Sequence, residues 1–436
     1  MNPTVSSVTP GLSILSYRTE LFKAGLLSLT VTSPVAKGEG MLSSLLFSVL
    51  RRGCVRYPTL DALNRRLDYL YGTDLSLRNF SRGDRLLSGV ALDLLDPSYL
   101  PTGEEGLLRE ALEVVRELLF FPLLDGEGNL LSRYVESEKQ HLCDRIRARR
   151  SNPAAYAVHR CRELLFSEDP TGALYTVTEE EVMAVTPAAL TAFYHRYLSS
   201  MHLQAFYVGP REGEEILSVL EEIFGDLVKT PRATLPPTAF VRAKERPQVV
   251  RETLPVTQGH LVMAWTTATT VNDPLFFACK VFNEMLGGTP VSRLFLEVRE
   301  RRSLCYSCYS SYEAYKGVLL VVCGLENEAD EEARRAILSE LDALCRGEFT
   351  DAEIAAAKQS LANIYRQTED NPATIENFYL SRASADASIS VEECARRTAA
   401  VTREEILQVA ERLCLSVDYF LEGTLGGEED GCDEED

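Results

Sequence analysis

Apolar and polar residues follow two alternating patterns along the chain, and the order of these patterns repeats in the second half. A period of two predicts a strand, whereas apolar positions recurring every three or four residues predict a helix. In the first half, strands are predicted over 12–18, 25–32, 74–81, 85–94 and 203–208, and helices over 40–51, 60–71, 106–119, 130–149, 153–165, 187–197 and 212–224. In the second half, strands are predicted over 249–254, 260–266, 304–312, 317–325 and 416–424, and helices over 281–286, 292–299, 329–345, 352–367, 372–385, 391–398 and 403–414. The pattern predicts an α+β protein of two homologous domains, each an antiparallel-rich sheet covered by helices.

A proline-rich segment with little apolar periodicity, residues 226–247, separates the two halves. Such a composition is typical of a linker, so the N-terminal domain is predicted to span 1–225 and the C-terminal domain 248–425. Seven of the last nine residues are acidic, and the tail 426–436 is therefore predicted to be disordered.

The two halves share a local spacing that suggests duplication. Gly53 lies 18 residues before Tyr71, and Gly288 lies 18 residues before Tyr306. The offset between the two pairs is 235 residues, and each pair spans a glycine stop, a helix and the start of a strand. Two domains of similar size and element order support an internal repeat.

The charge balance excludes some classes of partner. With 65 acidic and 45 basic residues, the formal net charge is −20, which argues against a basic surface for nucleic acid or anionic lipid. No apolar run approaches the roughly 20 residues of a membrane span. The N-terminal residues also lack the basic start and long apolar core of a signal peptide. We therefore expect no nucleic-acid partner, no membrane partner and a cytoplasmic location.

The cysteine count fits that location, because eleven cysteines without paired spacing are typical of reduced thiols in a cytosol. The one close pair is Cys305 and Cys308. On the strand predicted there, residues three apart point to opposite faces, which is poor geometry for a shared metal. Of the two interpretations, metal or redox use and small core residues, this geometry favours the second.

Residues 281–312, VFNEMLGGTPVSRLFLEVRERRSLCYSCYSSY, predict a helix, a stop at Gly287-Gly288, a second helix capped by Ser292, and then a strand. Arg299 ends the second helix and Tyr306 begins the strand. Local chemistry alone makes them a surface arginine that suits the helix dipole and a half-buried strand tyrosine. The order LGG…SRLF…VRE…SLCYS, however, resembles the C-terminal half of the inverzincin peptidases, the family of pitrilysin, insulysin and the mitochondrial processing peptidase.

The resemblance covers nearly the full chain, since residues 193–209, FYHRYLSSMHLQAFYVG, are similar to the end of the first domain in that family. It implies that the two domains form half of a clam-like chamber. It also implies that Arg299 and Tyr306 bind the substrate near a zinc ion held elsewhere. Both side chains would donate to a peptide carbonyl, or to the oxyanion that forms from it.

The sequence differs from active members of this family at the residues that bind zinc. Those members carry H-x-x-E-H on a first-domain helix, with two histidine ligands and a glutamate general base. Here Ser44 and Ser48 stand at the histidine positions and Phe47 at the glutamate position. For the third ligand, Glu138 matches an acidic position seven residues earlier, but Arg145 occupies the ligand position itself. Hydroxyls are not usual zinc ligands, phenylalanine accepts no proton and a cation repels metal, so we expect no cofactor, no zinc and no peptide cleavage by this chain alone.

A replacement site is not apparent in the sequence. None of the five histidines lies four residues from another, and phosphate-loop, dinucleotide and serine-hydrolase motifs are absent. His141 and Glu138 share a helical face, an arrangement more typical of a solvated surface than of a metal pair. Ser44 and Ser48 lack an evident base, so we interpret them as packing residues rather than nucleophiles.

In bacterial and mitochondrial branches of this family, the zinc and the Arg/Tyr pair can come from different chains. The resemblance therefore implies a zinc-less, non-catalytic subunit of a heterodimeric cytoplasmic peptidase in a bacterium, with a partner that carries H-x-x-E-H and the zinc. The sequence is also similar to bacterial insulinase-like proteins associated with 5-aminopentanol modification of elongation factor P. The alternatives are a peptide-binding or scaffold protein without proteolysis and an autonomous enzyme with an unrecognised site.

Overall fold

Strands and helices alternate through the whole of the computed structural model, which describes residues 3–9, 11–100, 106–231, 235 and 237–425. The strands are β1 (Thr4–Thr9), β2 (Leu12–Arg18), β3 (Ala24–Pro34), β4 (Asp74–Arg82), β5 (Arg85–Leu95), β6 (Leu203–Gly209), β7 (Gln248–Leu254), β8 (Gly259–Thr266), β9 (Ser307–Glu313), β10 (Val318–Leu325) and β11 (Cys414–Gly423). The α-helices are α1 (Glu39–Leu50), α2 (Leu60–Tyr69), α3 (Leu107–Phe120), α4 (Ser132–Ala148), α5 (Pro153–Leu165), α6 (Glu179–Met183), α7 (Pro187–Ser199), α8 (Gly213–Phe224), α9 (Phe276–Asn283), α10 (Asp330–Cys345), α11 (Asp351–Thr368), α12 (Pro372–Ser384), α13 (Val391–Ala400) and α14 (Arg403–Glu411). Two segments are π-helical, π1 (Glu284–Gly288) and π2 (Leu294–Arg301).

The α+β fold class predicted from the sequence is confirmed. The strand β1 was not predicted, and the strand predicted over 304–312 begins only at Ser307. None of the helices in the described residues combines the length and apolarity needed to cross a lipid bilayer.

The first compact unit comprises Met1–Ile146, Thr176–Thr238 and Tyr365–Glu393. Its sheet has six strands in the order β1-β2-β6-β3-β5-β4, antiparallel except for the pair β2 and β6. The helices α1, α3 and α8 bury their leucine and valine faces against this sheet to form one hydrophobic core. The buried residues of these helices lie on one helical face, which explains the amphipathic pattern from which the helices were predicted.

The second compact unit comprises Arg147–Tyr175, Ala239–Ile364 and Cys394–Asp436. Its sheet has five strands in the order β7-β11-β8-β10-β9, antiparallel except for the pair β7 and β11. Apart from the additional β1, the two sheets therefore have the same strand order, with β2, β3, β4, β5 and β6 corresponding to β7, β8, β9, β10 and β11. This shared topology supports the internal repeat suggested by the 235-residue offset.

Each unit contains a helical segment from the opposite half of the sequence. In the second unit, α5 packs Ala157 and Cys161 onto the face of the sheet that carries Val262 and Val322. In the first unit, α12 packs against β3 and β6, and the ring of Tyr379 stacks on Phe206. The compact units are thus discontinuous in sequence, whereas the predicted domains 1–225 and 248–425 are continuous. The linker at 226–247 stays a prediction, and the predicted tail 426–436 lies outside the described residues.

Candidate functional site

The positions of the lost zinc motif lie on α1 in the first unit. Ser44 and Ser48 are one helical turn apart and half-buried, as two histidine ligands would have to be. Phe47 between them is 2 % exposed and meets the ring of Tyr197 edge-on, with 5.7 Å between ring centroids. The residue at the general-base position is therefore part of the hydrophobic core, and its side chain cannot accept a proton.

Glu138, on α4, takes part in an ion pair with an arginine just beyond the end of α1. Arg52 donates from Nε to the Glu138 carboxylate and from an Nη atom to Ser137 Oγ, at 3.3 Å. A second contact of 3.3 Å joins the same guanidinium to Nδ1 of His141. The expectation that Glu138 and His141 lie on a solvated face is wrong for Glu138, because this residue is 8 % exposed.

This arrangement leaves no metal-binding donor set among the described residues at the ancestral position. A guanidinium already neutralises the Glu138 carboxylate, and its positive charge opposes a cation beside it. Arg145, at the third-ligand position, is exposed on α4 and adds a further positive charge. Serine, phenylalanine and arginine at the motif positions therefore provide no zinc ligand, and the nearby buried Glu138 is already paired with Arg52.

The glycine-rich turn of the second unit differs from its prediction. Gly287-Gly288 is not a left-handed helix cap, because α9 continues into the π-helical turn π1, and neither glycine has a positive φ. Gly287 is needed for close packing, since a Cβ atom there would lie 2.5 Å from the backbone nitrogen of Ser310 in β9. Ser292 does not cap the next helix either; its hydroxyl donates to the carbonyl of Thr289 at 2.5 Å.

Arg299 lies near the end of π2 with 40 % of its side chain exposed. Its guanidinium stacks 4.7 Å above the centre of the Phe295 ring and lies 3.6 Å from the Glu300 carboxylate. The stacking restricts the orientation of the side chain. Arg299 is therefore a half-buried donor whose guanidinium is held by an aromatic ring.

Tyr306 lies immediately before β9 and is 55 % exposed. Its backbone N–H donates to the carbonyl of Gly324 in β10 at 2.8 Å, which fixes the start of the strand. The phenol donates to the carboxylate of Glu326, and this hydrogen bond raises the pKa of the tyrosine. The hydroxyl thus keeps its proton and remains a donor. Sequence reasoning missed Glu326, because only the pairing of β9 with β10 brings it near Tyr306.

Three cysteines converge beside these two side chains. Cys308 in β9 is the cross-strand partner of Cys323 in β10, and Cys305 lies just before β9. Their sulfur atoms all lie within 4.8 Å of one another. The expectation that Cys305 and Cys308 point to opposite faces is wrong, because Cys305 lies outside the strand and is not bound by its alternation.

The electrostatic environment of this cluster involves Arg299. Interaction with the thiols of Cys308 and Cys323 lowers the pKa of Cys305, and the positive charge of Arg299 lowers it further. Arg299, Tyr306 and the three cysteines all lie in the part of the second unit that runs from π2 to β10.

Together, the fold and the first-unit motif define a peptidase-like protein that has lost its metal ligands. Comparison with known proteins gives the family. Residues 184–361 match the family model of the peptidase M16 inactive domain. The chain is 30 % identical over 418 residues to a probable inactive metalloprotease, YmfF, of Bacillus subtilis, and the match covers 95 % of this chain and 97 % of that protein. The chain belongs to the M16, or insulinase-like, peptidase family and is a zinc-less member of it.

Solved structures show the same fold. A conserved protein from Enterococcus faecalis superposes with a TM-score of 0.89 at 24 % identity, covering 98 % of this chain and all of that one. A peptidase M16 inactive domain from Pseudomonas fluorescens superposes with a TM-score of 0.79 at 18 % identity, again covering 98 % of this chain and all of that one. The family membership and the filled motif positions agree that this chain has no catalytic zinc of its own.

Proposed function

We propose that this protein is the zinc-less subunit of a heterodimeric cytoplasmic metallopeptidase. In this proposal Arg299 and Tyr306 bind the peptide substrate, while a partner chain with H-x-x-E-H supplies the zinc and the general base. The observation that carries the proposal is a contrast between the units. The general-base position of the first unit is filled by the buried Phe47, whereas in the second unit Arg299 has 40 % of its side chain exposed and Tyr306 is 55 % exposed.

The chemistry of the pair suits a peptide carbonyl. A guanidinium and a phenol hydroxyl can both donate to the carbonyl oxygen, and their hydrogen bonds strengthen as attack by zinc-bound water turns it into an oxyanion. The Arg299 guanidinium is held by Phe295 and the Tyr306 phenol by Glu326, so both donors start from restricted positions. Restricted donors lose little freedom when the transition state forms.

The test uses a reconstituted mixture with an insulinase-like partner that carries H-x-x-E-H. Tyr306→Phe removes only the hydroxyl, and Arg299→Lys keeps the charge but loses the planar fork. Both variants should co-purify with the partner, while turnover of a model peptide falls by roughly one to three orders of magnitude, mostly in kcat.

Matched controls lie in the same segment. Tyr309→Phe removes a hydroxyl from another exposed tyrosine, in β9, and Arg301→Lys alters an exposed arginine that pairs with Glu297. Both controls should leave turnover unchanged. Normal turnover by Tyr306→Phe and Arg299→Lys in a correctly assembled mixture would contradict the proposed role of these two residues in substrate binding.

The second candidate is a peptide-binding or scaffold protein without a proteolytic role, associated with the modification of a translation factor. The contact between Tyr306 and Glu326 favours it, because a substrate must displace this carboxylate before the phenol can donate to a carbonyl. Peptide binding by the chain alone, with no gain of hydrolysis on adding the partner, would support this candidate over the first.

A further inference from the structure

The three-cysteine cluster includes neither Arg299 nor Tyr306 and none of the positions of the lost zinc motif. Two of its members are buried core residues, with Cys308 4 % exposed and Cys323 0 % exposed, while Cys305 is half-buried. Side chains along β10 alternate, and Leu320 and Val322 belong to the apolar cluster that packs against α5. Cys323 therefore faces the opposite side of the sheet, where π1 and π2 contact β9.

The sulfur spacing is close to that of a metal-thiolate site. Zinc–sulfur bonds are about 2.3 Å long, so sulfurs that share one tetrahedral ion are about 3.8 Å apart. The three sulfurs here lie within 4.8 Å of one another, a difference that small side-chain rotations can close. Thiolates select soft cations, and three of them leave one coordination position for water or another small ligand.

The charge balance also suits an ion. Three thiolates around a divalent cation carry a net charge of −1, which is costly in a partly buried site unless a positive charge lies nearby. Positive charge is available in this segment, because Arg299, Arg301 and Arg302 lie at the end of π2 and within six residues of Cys305 in the sequence. Among the described residues, no imidazole or carboxylate joins the three thiols.

The fold does not require cysteines at these positions. At the offset of 235 residues, the first unit has Leu70 and Thr73 in place of Cys305 and Cys308. In the turn before β4, Leu70 is buried and the Thr73 hydroxyl donates a hydrogen bond of 2.7 Å to the Leu70 carbonyl. A leucine and a threonine therefore stabilise the corresponding turn without any thiol.

We propose that Cys305, Cys308 and Cys323 form a three-thiolate site for one thiophilic divalent cation of the zinc class. The ion ties the segment before β9 to β10. Because Tyr306 follows Cys305 directly, the bound ion also fixes the backbone from which the phenol projects. The site lies in the second unit and includes none of the motif positions of the first, and the role proposed for its ion is to hold this backbone in place.

The experiment uses the purified full-length chain, reduced with a phosphine and kept free of oxygen. Cadmium is titrated in, and the ultraviolet thiolate-to-cadmium charge-transfer band reports sulfur ligation. We expect the band to saturate at one equivalent. Cys305→Ser changes the half-buried member, which is the one least needed for the core, and should weaken binding by more than the roughly 10–100-fold that loss of an outer-shell partner costs.

Cys345→Ser is the matched control, because Cys345 is also half-buried but lies at the end of α10, outside the cluster. This variant should keep the saturable band. In a second measurement, zinc should protect Cys305 from alkylation, as mapped by mass spectrometry, and leave Cys345 equally reactive. A band that fails to saturate, equal affinity in Cys305→Ser, or loss of the band in Cys345→Ser would overturn the proposal. Since the chain is used alone, none of these outcomes depends on the proposed peptidase role.

Discussion

The two units use the same segment, a helix, a glycine stop, a second helical segment and a strand, in different ways. Phe47 of the first unit is buried, and so is Phe282, its counterpart at the offset of 235 residues. The difference lies in residue type: the exposed Asn64 is replaced by the half-buried Arg299, while Tyr71 and Tyr306 are both exposed tyrosines. Duplication therefore preserved the strand order while the side chains with candidate functions became different.

The two units also differ in how the side chains near these positions are paired. In the first unit, Glu138 is buried and Arg52 balances its charge. In the second unit, Arg299 and Tyr306 are partly solvent-accessible and lie beside the carboxylates of Glu300 and Glu326.

The largest expected effect comes from Phe47→Glu, which restores the general-base residue type of active members. Phe47 packs edge-on against Tyr197 in the core, so the variant buries a carboxylate without a partner and leaves a cavity. We expect the free energy of unfolding to fall by roughly 3–5 kcal/mol, as measured by urea denaturation.

The half-buried neighbours provide the control for this variant. Ser44→His and Ser48→His should each cost less stability than Phe47→Glu. Because Arg145 still occupies the third-ligand position, the triple variant should show no zinc-dependent peptide cleavage. Peptide cleavage by the triple variant alone would contradict our interpretation that these positions cannot form a catalytic zinc site while Arg145 is present.

A smaller difference is expected between the corresponding glycines of the two units. Gly53 has a φ of 148°, and a Cβ atom there would lie 2.7 Å from the carbonyl oxygen of Tyr57. Gly288 has no positive φ, and its Cβ would meet the end of the Glu284 side chain at 2.7 Å. Gly53→Ala should therefore cost about 1–3 kcal/mol, and Gly288→Ala clearly less. Equal losses in thermal or urea unfolding would contradict a conformational role specific to Gly53.

The smallest effect concerns a buried carboxyl that only the second unit has at this position. Glu284 corresponds to Val49 at the 235-residue offset, and burial raises its pKa above the usual range. The folded state then binds a proton more readily than the unfolded state, so this group favours folding at low pH and loses that contribution as pH rises through its folded pKa. Glu284→Gln, which can still accept from Ser360, should gain stability relative to the wild type as pH rises above the ordinary glutamate pKa of about 4.3. A difference between the two proteins that does not change with pH would contradict this assignment.

Much of the fold follows from local sequence patterns. The alternation over β8 and β10 and the helical periodicity of α3 and α8 place most elements correctly, because period and length are local properties of the chain. The π-helical turns were not predicted, since they depend on how closely Gly287 approaches Ser310 in β9. The unpredicted strand β1 exists through its pairing with β2, a contact that periodicity alone does not encode.

By itself, the sequence determined the two-fold repeat, the family and the loss of the zinc ligands, because residue identity at Ser44, Phe47 and Ser48 decides whether a metal can bind. Only the tertiary structure decided which helix covers which sheet, as in the placement of α5 in the second unit. It alone brought Arg52 to Glu138 and Cys323 to the C-x-x-C pair. These contacts join residues far apart in the chain, and their geometry is set by helix packing and strand register rather than by local spacing.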